Sequence, residues 1–171
     1  MFSRQDEQYM HLALAQAYNA LRQGWVPVGA VFIEGSHVIA YGTKDGTKHP
    51  RFDHAEHNGC YQALWAGRDG PRDLRGVTVY STMEPCVMCM SMLMTTRVER
   101  IVYAMEDPYG GGAYLLTSPD RPTRFKEDIP MLEGGCLREE SKVILREFFT
   151  QQSESSNWSD QANPLVVACL A

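Results

Sequence analysis

The segment 77–89, VTVYSTMEPCVMC, constrains this chain more than any other. Its first five residues, VTVYS (77–81), read as a short buried strand. Pro85 suits the first turn of a helix that begins near Cys86. The fold must therefore place a strand–helix junction here, with Cys86 and Cys89 close to one turn apart on the same helical face. A helix N-terminus also lowers thiol pKa, which favours the thiolates a metal needs. Three chemistries use such a pair: redox exchange, a structural zinc knot and a catalytic metal site. A thioredoxin-like redox pair belongs after the first strand of its fold, not here. A four-cysteine knot needs a second pair, which Cys60, Cys136 and Cys169 do not form.

The flanking segments supply the layers. Met10, Leu14, Ala17 and Leu21 recur at helical spacing over 5–23, and Gly24 supplies a stop. VGAVFIE (28–34) and HVIAYG (37–42) flank Gly35-Ser36 and predict a hairpin. The loop 43–52 is polar and locally basic. A helix is predicted over 54–66, with Asp53 as N-cap and Glu56 closing a capping box. RIVYA (100–104) reads as a strand and LREESKVILREFF (137–149) as an amphipathic helix. Strands alternating with helices, in 171 residues, predict one layered α/β domain. From 150 on, TQQSESSNWSDQAN reads as a mobile stretch, and PLVVACLA as an apolar terminus that should dock.

Bulk properties narrow the function classes. The N-terminus is charged where a secretory signal needs an apolar run, and no stretch approaches a membrane span, so a cytoplasmic location without membrane contact is expected. Five cysteines, an odd number, argue against a disulfide framework. A net charge of −5 disfavours affinity built on gripping many phosphates, while leaving room for a local basic patch.

DHAEH (53–57) suggests the third partner of the two sulfurs. His54 lies 32 residues before Cys86, and one His with two Cys is a set seen at catalytic zinc sites whose fourth position holds water. On a regular helix positions i and i+2 point about 200° apart, so Glu56 is not required as a ligand. It either overhangs the water or closes the capping box.

These residues resemble a known family. His54-Ala55-Glu56 followed by Pro85-Cys86-Val87-Met88-Cys89 is similar to the H-x-E…P-C-x-x-C signature of the zinc nucleobase deaminases, in the cytidine and deoxycytidylate deaminase superfamily. VPVGAVFIEGSHVIAYG, TVYSTMEPCVMC, RVERIVYA and LREESKVILREFF resemble successive blocks of the branch that holds tRNA adenosine deaminases, guanine deaminases and yeast-type cytosine deaminases. The likeness covers most of residues 5–149. It implies a three-layer α/β/α sandwich around a mixed sheet of about five strands over 1–150, with 151–171 as a lid or interface tail. It also implies one Zn2+ per chain on His54, Cys86 and Cys89, Glu56 as proton shuttle, and a homodimer.

The resemblance carries further expectations for substrate contacts. Val28, Ala30 and Glu84 should form a pocket wall, with Asp107 near it. Phe149, Trp158 and Asp160 would close over a small ligand. Thr43 stands eleven residues before His54, where the branch carries an Asn, and His57 stands where relatives have an aliphatic residue. The implied reaction is hydrolytic deamination. A free amino-heterocycle ranks ahead of tRNA adenosine, because no Lys or Arg follows Arg146. The loop cations Lys44, Lys48 and Arg51, with His49, argue the other way. A third reading is a non-catalytic zinc-stabilised binding protein, with His57 or Cys60 as fourth ligand.

Overall fold

Apolar side chains alternate along the strands, and this alternation sets the layers. In β1 (Gly29–Glu34), Ala30 and Phe32 face one side while Val31 and Ile33 face the other. β3 (Val77–Met83) repeats the pattern with Val77 and Val79 opposed to Tyr80, and β4 (Arg100–Met105) with Ile101 opposed to Val102 and Ala104. Both faces are apolar, so both must be covered by helices. A computed structural model describes residues 1–47, 49, 51–66, 73–153 and 163–170. In it, α1 (Arg4–Arg22) and α5 (Arg138–Ser153) cover the Val31 face, and α2 (Ala55–Trp65) and α3 (Val87–Thr95) cover the Phe32 face.

The sheet has five strands in the order β2 (His37–Thr43), β1, β3, β4, β5 (Met131–Gly134). β1 pairs antiparallel with both β2 and β3, whereas β3, β4 and β5 run parallel. The architecture is the three-layer sandwich that the resemblance implied. The predicted helices and strands lie close to the observed spans. Outside them are the short helix α4 (Tyr114–Thr117) and β5, a four-residue edge strand whose half-exposed residues show no apolar alternation. The apolar terminus does dock: it forms α6 (Pro164–Leu170), whose Leu165, Val166 and Cys169 pack with Leu145, Phe148 and Phe149 of α5. Among the described residues, no helix is long and apolar enough to cross a membrane.

One close approach matters for the site. A Cβ on Gly42 would lie 1.9 Å from the Ala55 carbonyl oxygen, so only glycine lets β2 lie this close to the first turn of α2. That contact fixes where His54, just before the helix, can stand.

On the opposite face a buried polar knot ties α1 to the sheet. Asp6 accepts hydrogen bonds from Tyr80 Oη at 2.7 Å and from the Arg100 guanidinium at 2.6 Å, and it closes the capping box of α1 with Ser3. Arg100 also pairs with Glu133 of β5 at 2.6 Å. Burial alone would raise the Asp6 carboxyl, but donors from Arg100, Ser3 and Tyr80 hold it well below its usual 3.8. Because the folded state favours the carboxylate, this stabilisation is complete above the unfolded value and fades as the pH falls below it. Asp6→Asn should cost about 2 kcal/mol in urea unfolding at neutral pH. The gap to wild type should narrow below about pH 4, and a pH-independent gap would contradict the account.

Candidate active site

Two helix N-termini converge on one point. His54 is the N-cap of α2 and Cys86 the N-cap of α3, and neither side chain bonds back to its own helix. Cys89 lies three residues on, buried in the first turn of α3. His54 Nδ1 is 3.5 Å from Cys86 Sγ and 3.6 Å from Cys89 Sγ, and the three donor atoms all fall within 4.8 Å of one another. Zn–N and Zn–S bonds of about 2.05 and 2.3 Å meeting at the tetrahedral angle would set N and S about 3.55 Å apart. The donor set and its spacing therefore fit zinc.

The electrostatics suit a cation. Cys86 falls to about 4, chiefly through its hydrogen bond with Cys89 and secondarily through His54. Cys89 is pushed up by sharing that proton and by burial. His54 is raised by its contact with Cys86. The dipoles of both helix starts add to this and favour the thiolate form that a metal needs.

Glu56 is the second helical residue of α2, 3% exposed. Ser81 Oγ donates to its Oε1 at 2.8 Å. Ser81 sits two residues beyond Val79, on the same sheet face as α2 and at the end of β3 that runs into Pro85. Burial is the main influence on Glu56 and raises its pKa, which favours a carboxyl able to hold a proton.

The capping box expected here does not form. The Asp53 carboxylate accepts from the His49 N–H at 2.7 Å, while His54 takes the N-cap position with its ring turned to the sulfurs. Ser81 engages Glu56 from the interior. Because His54 has extended backbone, the helical i, i+2 divergence does not separate it from Glu56, and both line one cavity of about 470 Å³.

Val28, Met83 and Phe148 give that cavity apolar walls, and Glu84, Asp107, Lys44 and Trp25 also line it. Glu84 is tied down: Oε2 accepts from Asp107 N–H at 3.2 Å and Oε1 from Ala113 N–H at 2.9 Å. Asp107 Oδ1 in turn accepts from Tyr109 N–H at 2.9 Å. Both acids therefore brace the glycine loop as well as border the cavity.

Other expected contacts are placed elsewhere. Ala30 is fully buried in the core. Thr43 Oγ1 donates to Gln16 Oε1 at 2.8 Å and lines a neighbouring cleft with Asn58. Phe148, one residue before the expected Phe149, is the aromatic of α5 on the cavity, while Phe149 packs edge-on against it in the α6 cluster. Trp158 and Asp160 lie outside the described residues.

Neither proposed fourth protein ligand reaches the sulfurs. His57 lines the neighbouring cleft, with Nδ1 buried and unpartnered, and Cys60 Sγ contacts Thr96 Oγ1 at 3.8 Å. Among the described residues the metal-ligating group has three members.

Residues 3–105 match the family model of the cytidine and deoxycytidylate deaminase zinc-binding region. The chain belongs to this family. Among curated proteins, this deaminase is 34% identical over 149 residues to the tRNA-specific adenosine deaminase of Bacillus subtilis (strain 168), covering 86% of this chain and 90% of that one. It is 30% identical over 166 residues to tRNA-specific adenosine deaminase 2 of Xenopus laevis, covering 88% and 89%. A solved structure from work on A-to-I editing by tRNA:A34 deaminases superposes with a TM-score of 0.68 at 30% identity, covering 80% of this chain and 98% of that one. The deaminase is thus a zinc enzyme of hydrolytic C–N chemistry.

X-ray absorption of the zinc-loaded deaminase should show two sulfurs, one nitrogen and one light oxygen donor. Cys86→Ala should reduce bound zinc from one per chain to near zero; a fully loaded variant would remove Cys86 from the ligand set.

Proposed function

We propose that this deaminase replaces the exocyclic amine of an adenine base with a carbonyl, and that its substrate is adenosine within tRNA. The observation that carries the chemistry is a buried carboxyl, held by Ser81, beside a three-ligand metal group at the foot of an apolar cavity. The substrate follows the relatives, whose match runs through nearly their whole length. That likeness reverses the ranking the sequence alone suggested.

His54, Cys86 and Cys89 would hold zinc, and the chemistry zinc supplies there is an activated water at neutral pH. Glu56 takes a proton from the attacking water and passes it to the ring nitrogen. It then takes the remaining proton from the hydroxyl now on the ring carbon and delivers it to the amine as the C–N bond breaks. Water and the amine become the ring carbonyl and ammonia. Val28, Met83 and Phe148 flank the ring and exclude bulk water, which strengthens the charge contacts inside. Ser81 keeps the carboxyl aimed while the proton moves.

A second reading is a free amino-purine. It is favoured by α6, packed against α5 behind the Phe148 wall, and by the absence of Lys or Arg after Arg146. We also infer a homodimer, since Tyr61 and Trp65 of α2 and Val87 of α3 leave apolar surface exposed.

Glu56→Gln should keep fold and zinc but lower ammonia release at least about 100-fold. Near-normal turnover in that variant would remove the proton-shuttle role. Inosine formation in tRNA, compared with ammonia release from adenine, guanine, cytosine and their nucleosides, should favour tRNA. Turnover of free bases with none on tRNA would establish the second reading.

A further inference from the structure

We propose that Trp25 is a substrate-binding residue of this deaminase: one face of its indole is backed by Gly46, and the opposite face is the platform on which the flat ring of the substrate stacks. This deepens the deaminase reading above and rests on it. Trp25 does not serve the core. Among the described residues it belongs to none of the three buried apolar clusters, although its neighbour Val26 packs against two of them. Nor does its ring pair with another aromatic there. It is part-exposed and lines the catalytic cavity. A lone exposed aromatic is ordinary; one wedged between backbone and a reaction cavity is not.

The chain holds this side chain from two directions. At the end of α1, Trp25 N–H donates to the Ala20 carbonyl at 3.0 Å and Gly24 N–H to that of Leu21 at 2.9 Å, the paired bonds of a Schellman motif. They fix the backbone from which the ring projects. The ring itself rests on the loop after β2. A Cβ on Gly46 would lie 2.3, 2.4 and 2.6 Å from the indole Cζ3, Cε3 and Cη2. Near-equal distances to three consecutive ring atoms put that point over the ring face, not beyond its edge. Gly46 is buried there, and any side chain on it would push the ring away.

The loop is stapled on both sides of the contact, so the ring and not the loop would move. Lys44 N–H donates to the Val28 carbonyl at 3.0 Å, and Asp45 N–H to the Asp53 carbonyl at 3.1 Å. Asp45 Oδ1 then accepts from Thr47 N–H at 2.8 Å, closing a tight turn around Gly46. Thr43 and Asp45 face the neighbouring cleft, and Lys44 the catalytic cavity. A backed, immobile aromatic face suits a planar heterocycle, and stacking tolerates any pattern of ring heteroatoms. The proton transfers stay with Glu56. Ground state and transition state gain the contact alike, so its loss raises KM and spares kcat.

The test is steady-state kinetics on the full, zinc-loaded enzyme. Substrates are a stem-loop RNA with adenosine in its loop and free adenine, guanine and cytosine, and the one turned over fastest is carried through the variants. Trp25→Ala and Trp25→Leu should each raise KM at least about tenfold with kcat within about threefold, base–aromatic stacking being worth that much. Trp25→Phe should keep most of the wild-type KM. Gly46→Ala, which adds a methyl behind the ring, should raise KM by a comparable factor. In the Trp25→Ala background the same change should be silent within about twofold, because no ring is left to displace. Wild-type KM in Trp25→Leu would reduce the indole to an apolar wall, and a Gly46→Ala effect that persists without the indole would assign it to the loop. Either overturns the proposal. So does a fall in kcat at unchanged KM, or a Trp25→Ala protein that loses zinc or unfolds at a much lower temperature, which would mark a structural residue. Failure of the deaminase reading shows separately, as no ammonia or inosine from any substrate with the wild-type enzyme.

Discussion

One imidazole and two sulfurs, delivered by the first turns of two helices, hold the rest of the site in place. His54 and Cys86 both occupy N-cap positions, where backbone is extended and the side chain is free to turn away from its helix. The arrangement leaves the positive ends of α2 and α3 pointing at the thiolates. It also fixes Glu56, since the residue two after the cap enters the helix from the same mouth. β2 and β3 set the distance between the two helices: Gly42 lets α2 sit down on β2, and β3 runs directly through Glu84 and Pro85 into α3.

Much of this was legible in the chain. The strand VTVYS, the proline and the two cysteines specified a junction, and the period-2 alternation in β1 and β3 specified which residues face which layer. What misled was the start of α2. Asp53 followed by Glu56 three residues later has the pattern of a capping box, and local propensity favours one. The tertiary environment overrode it: Ser81, distant in sequence, binds Glu56, and His54 takes the cap. The clue to Ser81 was present, because it continues the Val77, Val79 face by one more step. β5 left no such clue, being short, half-exposed and at an edge. Thr43 was read by its offset from His54, but its hydroxyl is engaged by Gln16 of α1, a contact no local pattern announces.

The buried knot of Asp6, Tyr80, Arg100 and Glu133 plays a complementary part. It joins α1 to three successive strands on the face away from α2 and α3. The same strand β3 contributes Tyr80 to that knot and Ser81 to the carboxyl of the site. Adjacent residues therefore serve opposite layers: Tyr80 the knot with Asp6, Ser81 the Glu56 carboxyl.

The alternation of Thr43, Lys44 and Asp45 between two cavities has an evolutionary consequence. The partition between those cavities is one backbone thick, so what each receives depends on parity rather than on residue identity. A one-step shift of β2 would exchange the faces of every side chain along it, bringing an ammonium to the polar cleft and a hydroxyl to the reaction chamber. It would also carry Gly42 away from Ala55 and set a side chain against that carbonyl, where none fits. The same close approach that seats α2 on the sheet therefore locks the parity of both cavities against change in hairpin length.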